Sequence, residues 1–220
     1  IGVSPWYFWA DVPVRKKKRF AFSNDYSKAD WPDVQYRGIF LNDEEELDAW
    51  SKIHTKDDTI GPETYAHIFE LLLRLKANYI WPAMHVNYFN SNPENGRLAE
   101  KMGIVVGTSH CDMLLRSNQN EWTPWLKKKN YENIRYDYSL SGENREIIQD
   151  YWAESVEMNR NYEVCYTVGM RGIHDSGFVT EVIDQDTSLT QSERTEKKIH
   201  LLEKVISDQR EILKEVLGEE

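Results

Sequence analysis

The stretch Ile104-Val105-Val106-Gly107-Thr108-Ser109-His110 decides the fold. It is a short, β-branched apolar run that passes directly into small polar residues and a histidine. Short continuous apolar runs suit a parallel sheet covered on both faces. The arrangement recurs on either side: Val34 to Leu41 and Ala77 to about Ala83 precede it, and Val164 to Met170 follows. Helical patterns come between and after these runs. Pro62 sits where a first-turn proline is expected, with Glu63 beside it to favour the helix dipole. Beyond it Tyr65, Ile68, Phe69, Leu72 and Leu75 fall on one stripe. Glu143 to Asn161 repeats the spacing with Ile147, Tyr151, Val156 and Met158. Thr190 to Leu217 repeats it with Ile199, Leu202, Val205, Ile206, Ile212 and Val216. A strand–helix alternation made four times predicts a βα fold.

Two architectures fit, a doubly wound sheet and a barrel. No Gly-rich dinucleotide fingerprint follows any strand, which weakens the nucleotide-binding reading. In a barrel, polar residues collect where the strands end, because those loops form the site. The first strand runs into Asn42-Asp43-Glu44, the second into Trp81-Pro82-Ala83-Met84-His85. The third runs into Ser109-His110-Cys111-Asp112-Met113 and then Arg116, the fourth into Arg171-Gly172-Ile173-His174-Asp175. The expected fold is therefore α/β, a partial (β/α)8 TIM-type barrel. It comprises about four parallel βα units, a half-barrel, over residues 34–220. An irregular, aromatic-rich lead-in over 1–33 precedes it.

Bulk properties narrow the partners. The 220 residues fit one large domain or part of a larger one. A formal net charge of -10 repels a phosphate backbone, so no nucleic-acid partner is expected. The basic run Arg15-Lys16-Lys17-Lys18-Arg19 reads as a solvated loop. No apolar run reaches the ~18 residues that span a bilayer, so no membrane partner is expected either. No signal peptide is visible, and the opening Ile1-Gly2 reads as cut from a longer precursor. Eight Trp and twelve Tyr offer flat rings for sugar faces, although aromatics are equally good core residues. Cys111 and Cys165 have neither metal nor disulfide spacing. With strands three and four adjacent, their vertical offset is roughly 15–20 Å. A disulfide needs Cα atoms within ~7 Å, so both are expected as free thiols.

The strand-end residues carry the functional expectation. Singly, each has a plainer role. Asp43 and Glu44 suit a helix start, as Glu45 and Glu46 do. His85 and His110 suit satisfied loops, and Trp81 suits the core as well as a sugar platform. Together they match glycoside hydrolysis, which needs two carboxyl groups flanking the scissile bond. Asp43, Glu44 and Asp175 are the candidates. Arg171 suits bidentate pairing with a substrate carboxylate, as an acidic sugar provides. His85, His110 and His174 suit hydroxyls or that carboxylate. A zinc hydrolase ranks below this reading. There is no His-x-His pair and no His-Glu-x-x-His helix, and adjacent His174-Asp175 makes shared ligation awkward. No metal or other cofactor is expected. A non-catalytic carbohydrate-binding fragment is the other alternative.

At these residues the chain resembles glycoside hydrolase family 115, the xylan α-1,2-glucuronidases. The likeness rests on Gly2-Val3-Ser4-Pro5-Trp6-Tyr7 with Trp9-Ala10-Asp11-Val12-Pro13-Val14, and on Tyr36-Arg37-Gly38-Ile39-Phe40-Leu41-Asn42-Asp43-Glu44. It continues through Phe69 to Tyr79, Trp81-Pro82-Ala83-Met84, Gly107-Thr108-Ser109-His110, Glu121-Trp122 and Gly169-Met170-Arg171-Gly172. The resemblance implies removal of glucuronic acid, or its 4-O-methyl ether, from glucuronoxylan or its oligosaccharides with inversion. It implies a periplasmic or extracellular setting. It makes Asp175 the catalytic carboxylate. Substrate binding then falls to Asn42, Asp43, Glu44, Trp81, His85, His110, Arg171 and His174. Family members are far longer, and their pattern puts a catalytic glutamate on the strand after the fourth. Four strands cannot close a barrel, so the isolated chain is expected to be marginal or to self-associate through its exposed edges.

Overall fold

The structure, a computed structural model, describes residues 3–10, 12–42, 44–173 and 176–218. Among them lie four parallel strands in one sheet, in chain order: β1 (Gly38–Phe40), β2 (Tyr79–Trp81), β3 (Val105–Gly107) and β4 (Val164–Cys165). Ile39, Ile80, Val106 and Val164 stand in one register across the sheet. Helices α1 (Glu44–His54) and α2 (Pro62–Arg74) follow β1, and α3 (Pro93–Met102) follows β2. After β3 come α4 (Trp122–Lys129) and α5 (Glu143–Asn159), and after β4 come α6 (Glu181–Asp184) and α7 (Gln191–Leu217). This is the expected α/β arrangement of four βα units.

The helix boundaries follow from local chemistry. Pro62 opens α2 behind Gly61, and Pro93 opens α3 behind Asn92, whose Oδ1 accepts the Glu94 N–H at 3.0 Å. A capping box between Thr190 and Glu193 starts α7. Gly103 and Gly218 end α3 and α7 in the left-handed region, where a side chain is strained.

The strands are shorter than the apolar runs predict. At β4 the ladder ends at Cys165, and further on Gly169 adopts φ 126°. The buried Gln209 side chain of α7 then replaces a strand partner. Its Oε1 accepts the Gly169 N–H at 2.7 Å and its Nε2 donates to the Gly169 carbonyl at 2.8 Å.

The sheet's two faces differ. Ile80 and Val106 turn toward α2 and α3, packing with Tyr65, Phe69, Leu72 and Ala99. A second core forms around α5, where Tyr151, Trp152 and Val156 meet Trp122, Trp125 and Val205 of α7. Tyr79 and Trp81 lie on the other face by the alternation of a strand. The Trp81 Nε1 donates to the Tyr79 Oη at 3.0 Å, and a Cβ on Gly107 would lie 1.9 Å from that oxygen. Gly107 therefore makes room for Tyr79. Cys111 and Cys165 are free thiols, and burial pushes the Cys165 thiol up. At the start of the chain, Phe8 stacks on His67 and Trp9 lies 4.5 Å from Trp50, fixing this segment to α1 and α2.

Candidate functional site

Because all four strands run parallel, their C-terminal ends share one side of the sheet. That side gathers the described residues among those the sequence singles out. Asn42 is exposed just past β1, and half-buried Trp81 ends β2, edge-on to Phe40 at 5.7 Å. His85 and His110 are exposed in the loops after β2 and β3, and half-buried Arg171 follows β4. The His85 Nδ1 lies 2.9 Å from the Glu45 Oε1. Asp43, His174 and Asp175 lie outside the described residues.

Glu44 has a different task from the one expected of it. It opens α1 with 1% exposure, and its carboxylate meets backbone instead of solvent. Its Oε1 accepts the Met84 N–H at 2.7 Å, and its Oε2 accepts the N–H groups of His85 at 2.7 Å and Val86 at 2.9 Å. The turn out of β2 presents three successive amides, and buried amides need acceptors. One carboxylate supplies them all, with charge-assisted strength. Glu44 thus holds the His85 loop in place.

A second set of charges is buried in the segment after β3. Arg116 is 3% exposed and Glu121 4%. The Arg116 Nη1 donates to the Glu121 Oε1 at 2.9 Å, and its Nε donates to the Tyr151 carbonyl at 2.9 Å. Its guanidinium also lies 4.4 Å from the centre of the Tyr151 ring. The other Glu121 oxygen accepts the Ser117 N–H at 2.8 Å. Burial raises the Glu121 carboxyl above its ordinary range despite the guanidinium beside it.

Asp112 is 7% exposed, and burial pushes its carboxyl well above the usual carboxylate range. The nearby charges of Glu121 and Glu44 push it further. A carboxyl so placed keeps a proton at pH values where an exposed aspartate has lost it. The sequence points to Asp112 only as one member of a polar strand end. It points to Arg116 in the same way, and to Glu121 only within the Glu121-Trp122 family motif, not as a buried pair. The signal available was the pairing of opposite charges five residues apart.

Among the described residues, no three His, Cys, Asp or Glu side chains group so as to hold a metal ion. No described helix is long and apolar enough to cross a membrane.

Comparison with known proteins agrees with this geometry. No curated protein matches the chain. Among solved structures, BtGH115A, described as a family GH115 4-O-methyl-α-glucuronidase with specificity for decorated arabinogalactans, is 36% identical with a TM-score of 0.75. The match covers 98% of this chain and 27% of that one, so the chain spans about a quarter of that relative's length. The model of glycosyl hydrolase family 115 matches residues 29–220. The family recognised in the strand-end motifs is thereby shown, and the chain belongs to glycosyl hydrolase family 115.

Proposed function

We propose that these residues form the first half of the catalytic barrel of an α-glucuronidase. The substrate is glucuronic acid or its 4-O-methyl ether, α-1,2-linked to xylan. The observation that carries the reading is the convergence of Asn42, Trp81, His85, His110 and Arg171 at one end of four parallel strands, in a chain 36% identical to a 4-O-methyl-α-glucuronidase. Arg171 pairs with the uronate carboxylate, and the histidines and Asn42 bind hydroxyls. Asp175 is the catalytic carboxylate of a single displacement. In that reaction one carboxylic acid protonates the glycosidic oxygen, and a carboxylate about 6.5–9.5 Å away activates water on the opposite face. The partner carboxylate comes from the part of the barrel beyond these strands. Polymeric xylan places the reaction in the periplasm or outside the cell.

The arabinogalactan specificity of BtGH115A favours a second substrate, glucuronic acid side chains on an arabinogalactan, cleaved by the same residues. The experiment offers glucuronoxylan and a glucuronic-acid-decorated arabinogalactan to a polypeptide that completes the barrel, and measures released uronic acid. Release from xylan supports the first reading, and release from arabinogalactan alone supports the second. Release from neither, with sugar binding retained, leaves a carbohydrate-binding role. The open edges at β1 and β4 make the 220-residue chain self-associate, which sedimentation at several concentrations tests.

A further inference from the structure

The turn Ser117-Asn118-Gln119-Asn120-Glu121 carries two asparagine amides that point to different loops. The Asn118 Nδ2 donates to the Gly172 carbonyl at 3.0 Å and reaches the Arg171 carbonyl at 3.4 Å. The Asn120 Nδ2 donates to the carbonyls of Met84 at 2.8 Å, His85 at 3.0 Å and Asn87 at 3.3 Å. One turn therefore grips the loop after β2 and the loop after β4. Its own position is fixed from inside the protein. The Ser117 carbonyl accepts the Tyr151 hydroxyl of α5 at 2.9 Å, and the Ser117 N–H is held by Glu121, itself paired with Arg116.

The loop after β2 is held through its N–H groups by Glu44 and through its carbonyls by Asn120. Gly172 has no space for a side chain, since a Cβ there would lie 2.2 Å from the Ser176 Oγ and 2.3 Å from the Gly177 carbonyl oxygen. The Gly172 backbone therefore packs directly against Ser176 and Gly177, while its carbonyl and that of Arg171 meet the Asn118 amide. Asn118 is 4% exposed and its Oδ1 has no hydrogen-bond partner. Burying an amide with half its capacity unmet is costly, so the bonds made by its other half have to repay that cost.

We infer that Asn118 and Asn120 are positioning residues that set the distance between Arg171 and His85 across the mouth of the site. Neither touches substrate. Asn118 acts through the backbone of Arg171, and Asn120 through that of His85. This rests on the reading of Arg171 as the partner of the uronate carboxylate, but the clamp itself is tested without it.

The test is hydrogen exchange and ligand binding on Asn118→Ala and Asn120→Ala in a polypeptide that completes the barrel. Asn144→Ala is the control, because the Asn144 Nδ2 makes comparable amide-to-carbonyl bonds, to Arg135 at 2.9 Å and Asp137 at 3.0 Å, both outside the two loops. Asn118→Ala should speed exchange about tenfold at Arg171 to Ile173 and leave Met84 to Asn87 unchanged, and Asn120→Ala should do the reverse. Asn118→Ala should also weaken glucuronate binding about tenfold while changing binding of neutral glucose less than about twofold. Unchanged exchange in both loops, or the same broad acceleration in all three variants, would overturn the clamp. Local exchange changes with no glucuronate binding by the wild type would uphold the clamp and remove the uronate reading instead.

Discussion

The carboxylate of Glu44 holds the backbone of His85, accepting its N–H at 2.7 Å across a separation of 41 residues in the chain. The start of α1 and the loop after β2 are thereby one rigid unit. Replacing Glu44 by Ala strands three amides, the buried one of Met84 and the part-buried ones of His85 and Val86. The expected loss is about 3 kcal/mol. Urea denaturation measures it, and Glu44→Gln should recover only part, because an amide oxygen lacks the charge.

Arg116 and Glu121 are a buried pair, so removing one member costs more than removing both. Arg116→Met leaves the Glu121 carboxyl without its guanidinium, and should lower stability by about 3–5 kcal/mol. The double variant Arg116→Met with Glu121→Leu should lose less than the single one. A double-mutant cycle by denaturant unfolding gives the coupling directly.

Asp112 works in the opposite sense on stability. Its carboxyl sits above the usual range when folded, so the native state binds more protons than the unfolded one at pH values between the two. Its effect on stability is therefore least below the unfolded value, near about 3.9. As pH rises above that value the unfolded chain gains, and the penalty grows until the folded carboxyl ionises too. Asp112→Asn should consequently raise the thermal midpoint at pH 7 and leave it nearly unchanged at about pH 3. Equal shifts at both pH values would mean that packing, and not ionisation, sets the effect.

Gly107 and Tyr79 fit only as a pair. Gly107→Ala puts a methyl group 1.9 Å from the Tyr79 Oη and 2.7 Å from Cζ. The expected cost is about 1–3 kcal/mol. Tyr79→Phe removes the nearer atom, so the double variant should recover part of that loss in thermal unfolding.

The sequence makes the four βα units legible because each strand is an unbroken apolar run and each long helix an apolar stripe. Pro62 and Thr190 mark their helix starts by chemistry that depends on neighbours in sequence alone. The helices α3 and α4 are less legible: Pro93 to Met102 buries only Asn95, Gly96 and Ala99, and so shows no apolar stripe. The strand-end gathering of Asn42, Trp81, His85, His110 and Arg171 follows from parallel topology, which the alternation predicts. What Glu44, Asn118 and Asn120 do is not written locally. Their partners are 41, 54 and 35 residues away and are backbone atoms, whose positions no side-chain pattern records.

The central claim is that the ends of these strands hydrolyse an α-glucuronosyl bond through Asp175. The most direct measurement is uronic acid release from 4-O-methyl-glucuronoxylan by a polypeptide completing the barrel, as wild type and as Asp175→Ala. The expected result is steady release by the wild type and a rate lower by about a factor of 10²–10⁴ in the variant. Equal rates in the two proteins would contradict it.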